Sequence, residues 1–409
     1  MHKWGGTRIV VFWGSNIAMT KLVSILTCLL LLCAGAGYAA DFYVGTVAAL
    51  TNAVNTAASN DTVFISNGTY QVNNLPVGAG VTVKSISGLP STVILNGNDA
   101  GRVVDMAVSG WLIGCTVTNG ELASGSGAGV NGGSCSNCII KNNHTEGGGG
   151  GASGCTLYNC LLVGNVAPMG ANANSCFLYN CTLTGGDAAS GGGSANSTLA
   201  NCISSGNSPD DNYGVVADSY SCGGGLTGTG STNADPLFIG GGNYRLQNGS
   251  PCRNTGNNDA WVGLSSSLDL DGSNRIVHVV VDMGCYENQY VPPVPTNAIN
   301  PHPANGAIGQ PTNAIISWQD GGCAEGYNVY FGLTGNMTNC GSTQTTNYNP
   351  GALAKYSGYQ WRIDATNITG VTTGPVWTFR TGPIVMSWSA SSISGVVALS
   401  MGQISGRAE

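Results

Sequence analysis

The chain has 409 residues, enough for two or three domains, with 13 basic and 20 acidic side chains and a net charge of −7. Only 8% of residues are charged while 42% are apolar. That balance excludes a highly charged disordered chain, and the scarcity of basic residues makes nucleic acid and anionic membranes poor partners. Glycine supplies 64 residues without a G-X-Y period, so collagen is also excluded.

At the N-terminus, Leu22 to Leu32 form a short apolar run after Lys21, followed by Ala34, Gly35, Ala36, Gly37, Ala39 and Ala40. This pattern predicts a Sec-type signal peptide over residues 1–40, cleaved near Ala39 or Ala40, with Met19 as a candidate true start. The run is too short to span a bilayer comfortably, so no transmembrane helix is expected in the mature chain. A secreted or cell-surface location follows as an expectation.

Residues 41–290 read as one β-solenoid. Phe42-Tyr43-Val44 is a strand, and Val47 to Ala58 a short amphipathic helix placed to cap the open end. Short strands follow at Thr62–Ile65, Val81–Val83, Thr92–Leu95 and Val103-Val104, each bounded by Gly, Asn or Pro. From Cys115 onwards the chain repeats itself. Leu157-Tyr158-Asn159-Cys160, Leu178-Tyr179-Asn180-Cys181 and Leu199-Ala200-Asn201-Cys202 are spaced by 181−160 = 21 and 202−181 = 21 residues. Cys138 lies 160−138 = 22 residues before Cys160, Cys115 another 138−115 = 23 before that, and Cys222 lies 222−202 = 20 after Cys202. Such a period means one supersecondary unit stacked on its own copies. No window carries a sustained helical apolar pattern, and glycine runs such as Gly147 to Gly151 and Gly191 to Gly193 fill the space between strands. Each repeat is therefore one turn of a parallel β-helix.

Asparagine marks the bend. Cys155 and Leu157 alternate on one face before Asn159, and Cys160 and Leu162 on one face after it. The two sets share an interior only if the chain turns between them, and Asn tolerates the left-handed conformation that such a turn needs. Stacking predicts a ladder of amides through Asn137, Asn159, Asn180 and Asn201. It also predicts a column of small, buried thiols through Cys115, Cys138, Cys160, Cys181, Cys202 and Cys222.

Asn60-Asp61-Thr62-Val63 followed by Gly68-Thr69-Tyr70 resembles the opening of bacterial right-handed parallel β-helix repeat proteins, and the glycine-rich coils resemble the repeats of polymorphic outer membrane proteins. Asp235-Pro236-Leu237-Phe238, Tyr244-Arg245-Leu246, Gly249-Ser250-Pro251-Cys252, Asp269-Leu270-Asp271-Gly272 and Asp282-Met283-Gly284-Cys285-Tyr286-Glu287 are similar, in order, to the C-terminal signature of choice-of-anchor β-helix proteins. The resemblance covers residues 41–287 and implies an exported surface or extracellular protein, with no particular reaction.

Val291-Pro292-Pro293-Val294-Pro295 opens a stiff linker over residues 291–298. Residues 299–382 then hold alternating strands at Ile315–Trp318, Tyr327–Phe331, Tyr359–Ile363 and Val376–Phe379. Their spacing suits a small β-sandwich and resembles a fibronectin type III domain, with Trp318 and Trp361 as core residues. Residues 383–409 form a tail of unknown role. The fold class read from the chain is thus all-β, a right-handed parallel β-helix followed by a small β-sandwich, and the molecule is expected to be a monomer.

Chemistry-bearing residues are few. Lys141, His144 and Glu146 make the one local acid–base grouping, and Asp210 and Asp211 are the other weak catalytic candidates, placed in a loop. Asp269, Asp271 and Asn274 match part of a calcium loop that lacks the terminal Glu, so turn chemistry is the better reading. No metal or cofactor is called for. Cys252 and Cys285 stand outside the 21-residue column, which, in an oxidising compartment, makes them candidates for a disulfide, with Cys323 and Cys340 a second pair. The functional expectation is a non-enzymatic extracellular solenoid for adhesion or contact with glycans or cell-surface components. The alternative is a polysaccharide lyase or glycoside hydrolase on the same scaffold.

Overall fold

A computed structural model of the chain describes residues 9–12, 39–261, 268–277, 279–382, 388–393 and 396–401. Most of residues 1–40, the expected signal peptide, and of the 383–409 tail lies outside these residues. The chain divides into two compact units, residues 1–289 and 290–409.

The first unit is a parallel β-solenoid of about eight turns, built on three sheets of ten, eight and seven short strands. A typical coil runs Thr156–Tyr158 in the first sheet, Leu161–Val163 in the second and Ala173–Asn174 in the third. Each strand pairs in register with the strand one coil away, Leu157 opposite Leu178 and Leu162 opposite Leu183. The interior is a narrow stack of buried side chains, among them Val83, Leu112, Cys135, Leu157, Leu178 and Leu199 from the first sheet. The helix Val47–Thr56 buries Leu50, Ala53 and Val54 at the start of the stack, and the Thr46 hydroxyl accepts from the Ala49 amide to cap it.

The coil turns through positive φ at several recurring positions where the sequence pattern reveals one, three of them as corners between the sheets. The first corner holds Gly114, Asn137, Asn159, Asn180 and Asn201 at φ between 50° and 70°. The second holds Asn119, Asn142, Gly164, Gly185 and Gly206, and the third Gly154, Ser175, Asn196 and Gly214, all with positive φ. Asn and Gly recur because only they enter this conformation cheaply.

The predicted amide ladder forms in two halves. Asn159 Nδ2 donates to Asn137 Oδ1 at 3.2 Å, and Asn201 Nδ2 to Asn180 Oδ1 at 3.0 Å. A second ladder starts from fully buried Asn143, Asn165 and Asn172 and runs out to half-buried Asn207 and Asp211. Asn143 donates to Asn165 at 3.0 Å, Asn165 to Asn172 at 2.8 Å, Asn172 to Asn207 at 3.0 Å, and Asn207 to Asp211 at 3.0 Å. Gly186 stands where the column calls for another Asn, 186−165 = 21 residues on. A Cβ there would meet Gly192 O at 2.0 Å and Asn172 Nδ2 at 2.6 Å, so Asn172 enters from the opposite wall and bridges the gap. Asn172→Leu takes one of two partners from Asn165 Nδ2, which keeps the Ile140 carbonyl, and from Asn207 Oδ1, which keeps the Gly186 amide. It should lower the unfolding free energy by about 1–3 kcal/mol in urea titration, without changing the parallel-sheet circular dichroism.

Beyond the coils, the chain folds back. Phe238–Gly240 and Asn243–Leu246 make a hairpin, and residues 268–288 lie over the first corner and the outer side of the second sheet. Leu270, Cys285 and Tyr286 pack on Leu161 there, with Ile139 and Val163 alongside.

Besides a separate antiparallel hairpin of Trp388–Ile393 and Val396–Met401, the second unit holds two sheets over residues 299–381. Ile299–His302, Ile316–Gln319 and Asn347–Tyr348 form one, antiparallel throughout. Ala307–Gln310, Val376–Thr381, Gly358–Asn367, Gly326–Leu333 and Asn336–Thr343 form the other, in that order, with Gly370–Thr372 also paired to Gly358–Asn367. Trp318, Tyr327, Trp361, Trp377, Phe331, Tyr359 and Phe379 fill the core, and Trp361 is fully buried. The Pro292, Pro293 and Pro295 carbonyls accept from Thr369, Asn367 and Thr372 of this unit.

Candidate functional site

The three faces of the solenoid differ in what they offer. The second face is covered by residues 268–288. The third presents half-buried Asn131 and Asn174, with Ser153 and Ala195 buried at the same register. The first face carries rings. Trp111, Tyr158 and Tyr179 point outward because the neighbours Leu112, Leu157 and Leu178 point inward. Trp111 and Tyr158 stack at 5.9 Å between centroids and Tyr158 and Tyr179 at 5.2 Å, with planes within 15° of parallel. Trp111 reaches past Ser136, which stands between the coils, to make the first of these contacts. The next two coils carry Ala200 and Ser219 in this column, so the ring stack ends at Tyr179. Phe177, on the same strand, is 54% exposed. Across the five strands from Trp111 to Ala200 the face has no charged residue. A second stack, Tyr43 on Phe64 at 4.9 Å, lies nearer the helical cap.

The acid–base candidates are dispersed. His144 sits between two carboxylates, with Nδ1 at 2.6 Å from Glu121 Oε1 and Nε2 at 3.5 Å from Glu146 Oε1. Glu121 was not singled out in the sequence, although it lies one coil away at 144−121 = 23 residues and pairs in register with His144. The three side chains are 42%, 36% and 65% exposed for Glu121, His144 and Glu146, so solvent screens them. Lys141 lies in the second sheet, between Thr118 and Val163. Asp210 accepts from the Gly191 amide. Asp211 ends the second ladder, accepting from Asn207 with Oδ1 and from the Gly224 amide with Oδ2 at 3.1 Å. Both aspartates are thereby committed to backbone and ladder. Asp269 likewise spends Oδ1 on the Asp271 and Ser273 amides and Oδ2 on the Glu287 amide. Among the described residues, no group of three or more His, Cys, Asp or Glu side chains is placed to hold a metal ion.

The expected disulfides are not formed. Cys252 and Cys285 are buried free thiols in different clusters, Cys252 with Cys222 and Met283, Cys285 with Leu161 and Tyr286. Residues 268–277 and 279–287 lie over the second sheet, and they place Cys285 there, away from Cys252. Burial pushes the Cys285 thiol up to about 12. Cys323 is an exposed free thiol and Cys340 a half-buried one. The cysteine column itself is buried as expected, from Cys115 to Cys222.

The segment covering the second face is held by Arg275, which enters the gap in the corner ladder. Its guanidinium is fully buried and donates to Asn159 Oδ1 at 3.3 Å and to the Asp282 and Gly284 carbonyls. Turned with its oxygen towards Arg275, the Asn180 amide accepts at 2.8 and 3.1 Å; turned the other way it accepts from Asn201. Asp269, Asp282 and Glu287 are buried around the same arginine. Burial raises all three carboxyls, Glu287 to about 8, with Asp282 adding to the rise.

No family model matches the chain, and no curated protein matches it. Among solved structures, it is similar to a PL6-family alginate lyase, AlyGC, at 13% identity and a TM-score of 0.29, over 44% of this chain and 31% of that one. It is also similar to the twitchin kinase region from C. elegans, at 21% identity and a TM-score of 0.18, over 24% of this chain and 18% of that one. The chain thus spans less than a third of either of these structures, and likenesses at this level carry no weight for its activity.

Proposed function

We propose that this chain is an exported cell-surface or extracellular β-solenoid that contacts uncharged glycans through its first face, without cleaving them, in an adhesive role. The second unit serves as a fibronectin type III-like spacer. The observation that carries the reading is the stack of Trp111, Tyr158 and Tyr179, with Phe177 exposed on the Tyr179 strand, across five strands that carry no charged residue. The C–H face of a pyranose ring packs on aromatic surface, and exposed aromatic surface on an otherwise polar protein marks a contact site. Ser134 and Thr156 on adjacent coils, about 4.8 Å apart, and Thr198 beyond Phe177 in the same column supply hydroxyls to a ligand lying along the axis. A net charge of −7 disfavours acidic polysaccharides.

The competing reading is a polysaccharide-processing enzyme, and the His144, Glu121 and Glu146 trio speaks for it. A panel of neutral and acidic polysaccharides separates the two. Retention of neutral glycans should fall at least tenfold, about 1.4 kcal/mol, in Phe177→Ser and Tyr179→Ser. Unchanged retention in both variants would remove the first face from consideration.

A further inference from the structure

We propose that Cys222 and Cys252 form a disulfide that staples the C-terminal segment to the last coil when the chain folds under oxidising conditions. The two cysteines arrive from different directions. Cys222 belongs to the final strand of the second sheet, where its amide donates to Cys202 O at 2.8 Å and its thiol to Ala234 O at 3.0 Å. Cys252 belongs to the returning segment, fixed by its amide on Ser250 Oγ at 3.1 Å and by the Met283 amide on its carbonyl at 2.9 Å. Both are fully buried and share one cluster with Ile203, Leu246 and Met283. Column neighbours such as Cys160 and Cys181 sit on stacked strands with their side chains parallel, which suits a disulfide poorly. Cys222 and Cys252 converge from separate segments. The contact between the two thiols draws the Cys222 thiol down and pushes the Cys252 thiol up, which suits Cys222 to attack first.

Oxidised glutathione balances the step. The Cys222 thiolate attacks one glutathione sulfur, the glutathione S–S bond breaks, and one glutathione thiolate leaves. The Cys252 thiolate then attacks the Cys222 sulfur of the mixed disulfide and releases the second glutathione. Two protein thiols are oxidised by two electrons, one glutathione disulfide is reduced to two thiols, and the two protons go to those thiols. Because both sulfurs are buried once the segment docks, the exchange belongs to folding. The bond closes 252−222 = 30 residue steps and joins the last coil to the chain that covers the second face.

The test refolds the reduced, full-length chain in a glutathione redox buffer and quenches it with acid. Alkylation under denaturing conditions without reductant, followed by peptide mapping, reads the pairing. The expected map shows one cross-linked pair through Cys222 and Cys252, with Cys285 and the column thiols alkylated. Cys285→Ala should keep the cross-link, and Cys222→Ala and Cys252→Ala should each lose it. Cys222 and Cys252 both alkylated in the wild type, or Cys252 joined to any other cysteine, would overturn the proposal. Its occurrence in the cell rests on the exported reading, but this refolding experiment does not: a cross-link in the buffer with no export in cells would sink that reading alone.

Discussion

Replacing Arg275 by methionine is expected to lower the unfolding free energy by about 3–5 kcal/mol, because it strips the partner from buried carboxylates. The guanidinium joins three parts of the first unit. It reaches the corner amides of Asn159 and Asn180, the Asp282 and Gly284 carbonyls, and the field of Asp269, Asp282 and Glu287. Methionine fills much of the volume but leaves those acceptors without a donor in a site closed to water. Lysine should recover little, since a point charge cannot span amide and carbonyls as the planar fork does. Urea titration of the full chain measures the effect. Hydrogen exchange should localise it, with amides of residues 268–288 losing protection before those of the coils. A variant within about 0.5 kcal/mol of wild type, an ordinary surface value, would mean that the segment does not depend on this arginine.

Stability of the first unit should fall as pH rises from about 5 to about 8, by about 2–5 kcal/mol. Burial, with Asp282 adding to it, raises the Glu287 carboxyl from 4.5 to about 8 against the opposing pull of Arg275. The folded state therefore binds this proton more tightly than the unfolded chain does. Its contribution is fully present below 4.5 and is lost as pH rises through about 8. Asp269 and Asp282 move in the same direction for the same reason. Glu287→Gln keeps the shape and one acceptor oxygen, enough for the Asp282 or the Val277 amide, yet has no proton to lose. Denaturant midpoints at pH 5, 6.5 and 8 should slope downward in wild type and flatten in the variant. An upward slope in wild type would contradict the sign.

Much of the architecture was legible because the solenoid writes each contact as a period. The Leu-Tyr-Asn-Cys repeats place Leu157 on Leu178, Asn159 at a left-handed corner and Cys160 in the interior, all from spacing. The second ladder was hidden because Gly186 interrupts its column and Asn172 fills the gap from outside the period. The second and third corners were hidden because Gly and Asn exchange freely at positive φ, so no single residue type marks them. Contacts that leave the period could not be read. Cys252 meets Cys222 rather than Cys285, and Arg275 meets Asn159, only because residues 268–288 fold back along the coils. The signal for that fold-back was an arginine amid four acids, Asp269, Asp271, Asp282 and Glu287, in a chain with 13 basic residues. The stacked rings were present in the repeats themselves, but their outward aim became evident only with the register.

The measurement that bears most directly on the functional account is the fate of a neutral polysaccharide held by the full-length chain. Retention on the polysaccharide and the length of its chains are followed together for wild type, Tyr179→Ser and His144→Ala. Contact through the first face predicts retention that is lost in Tyr179→Ser and kept in His144→Ala, with polysaccharide length unchanged throughout. Shortening by wild type that stops in His144→Ala would contradict it and place the chemistry at the His144, Glu121 and Glu146 trio.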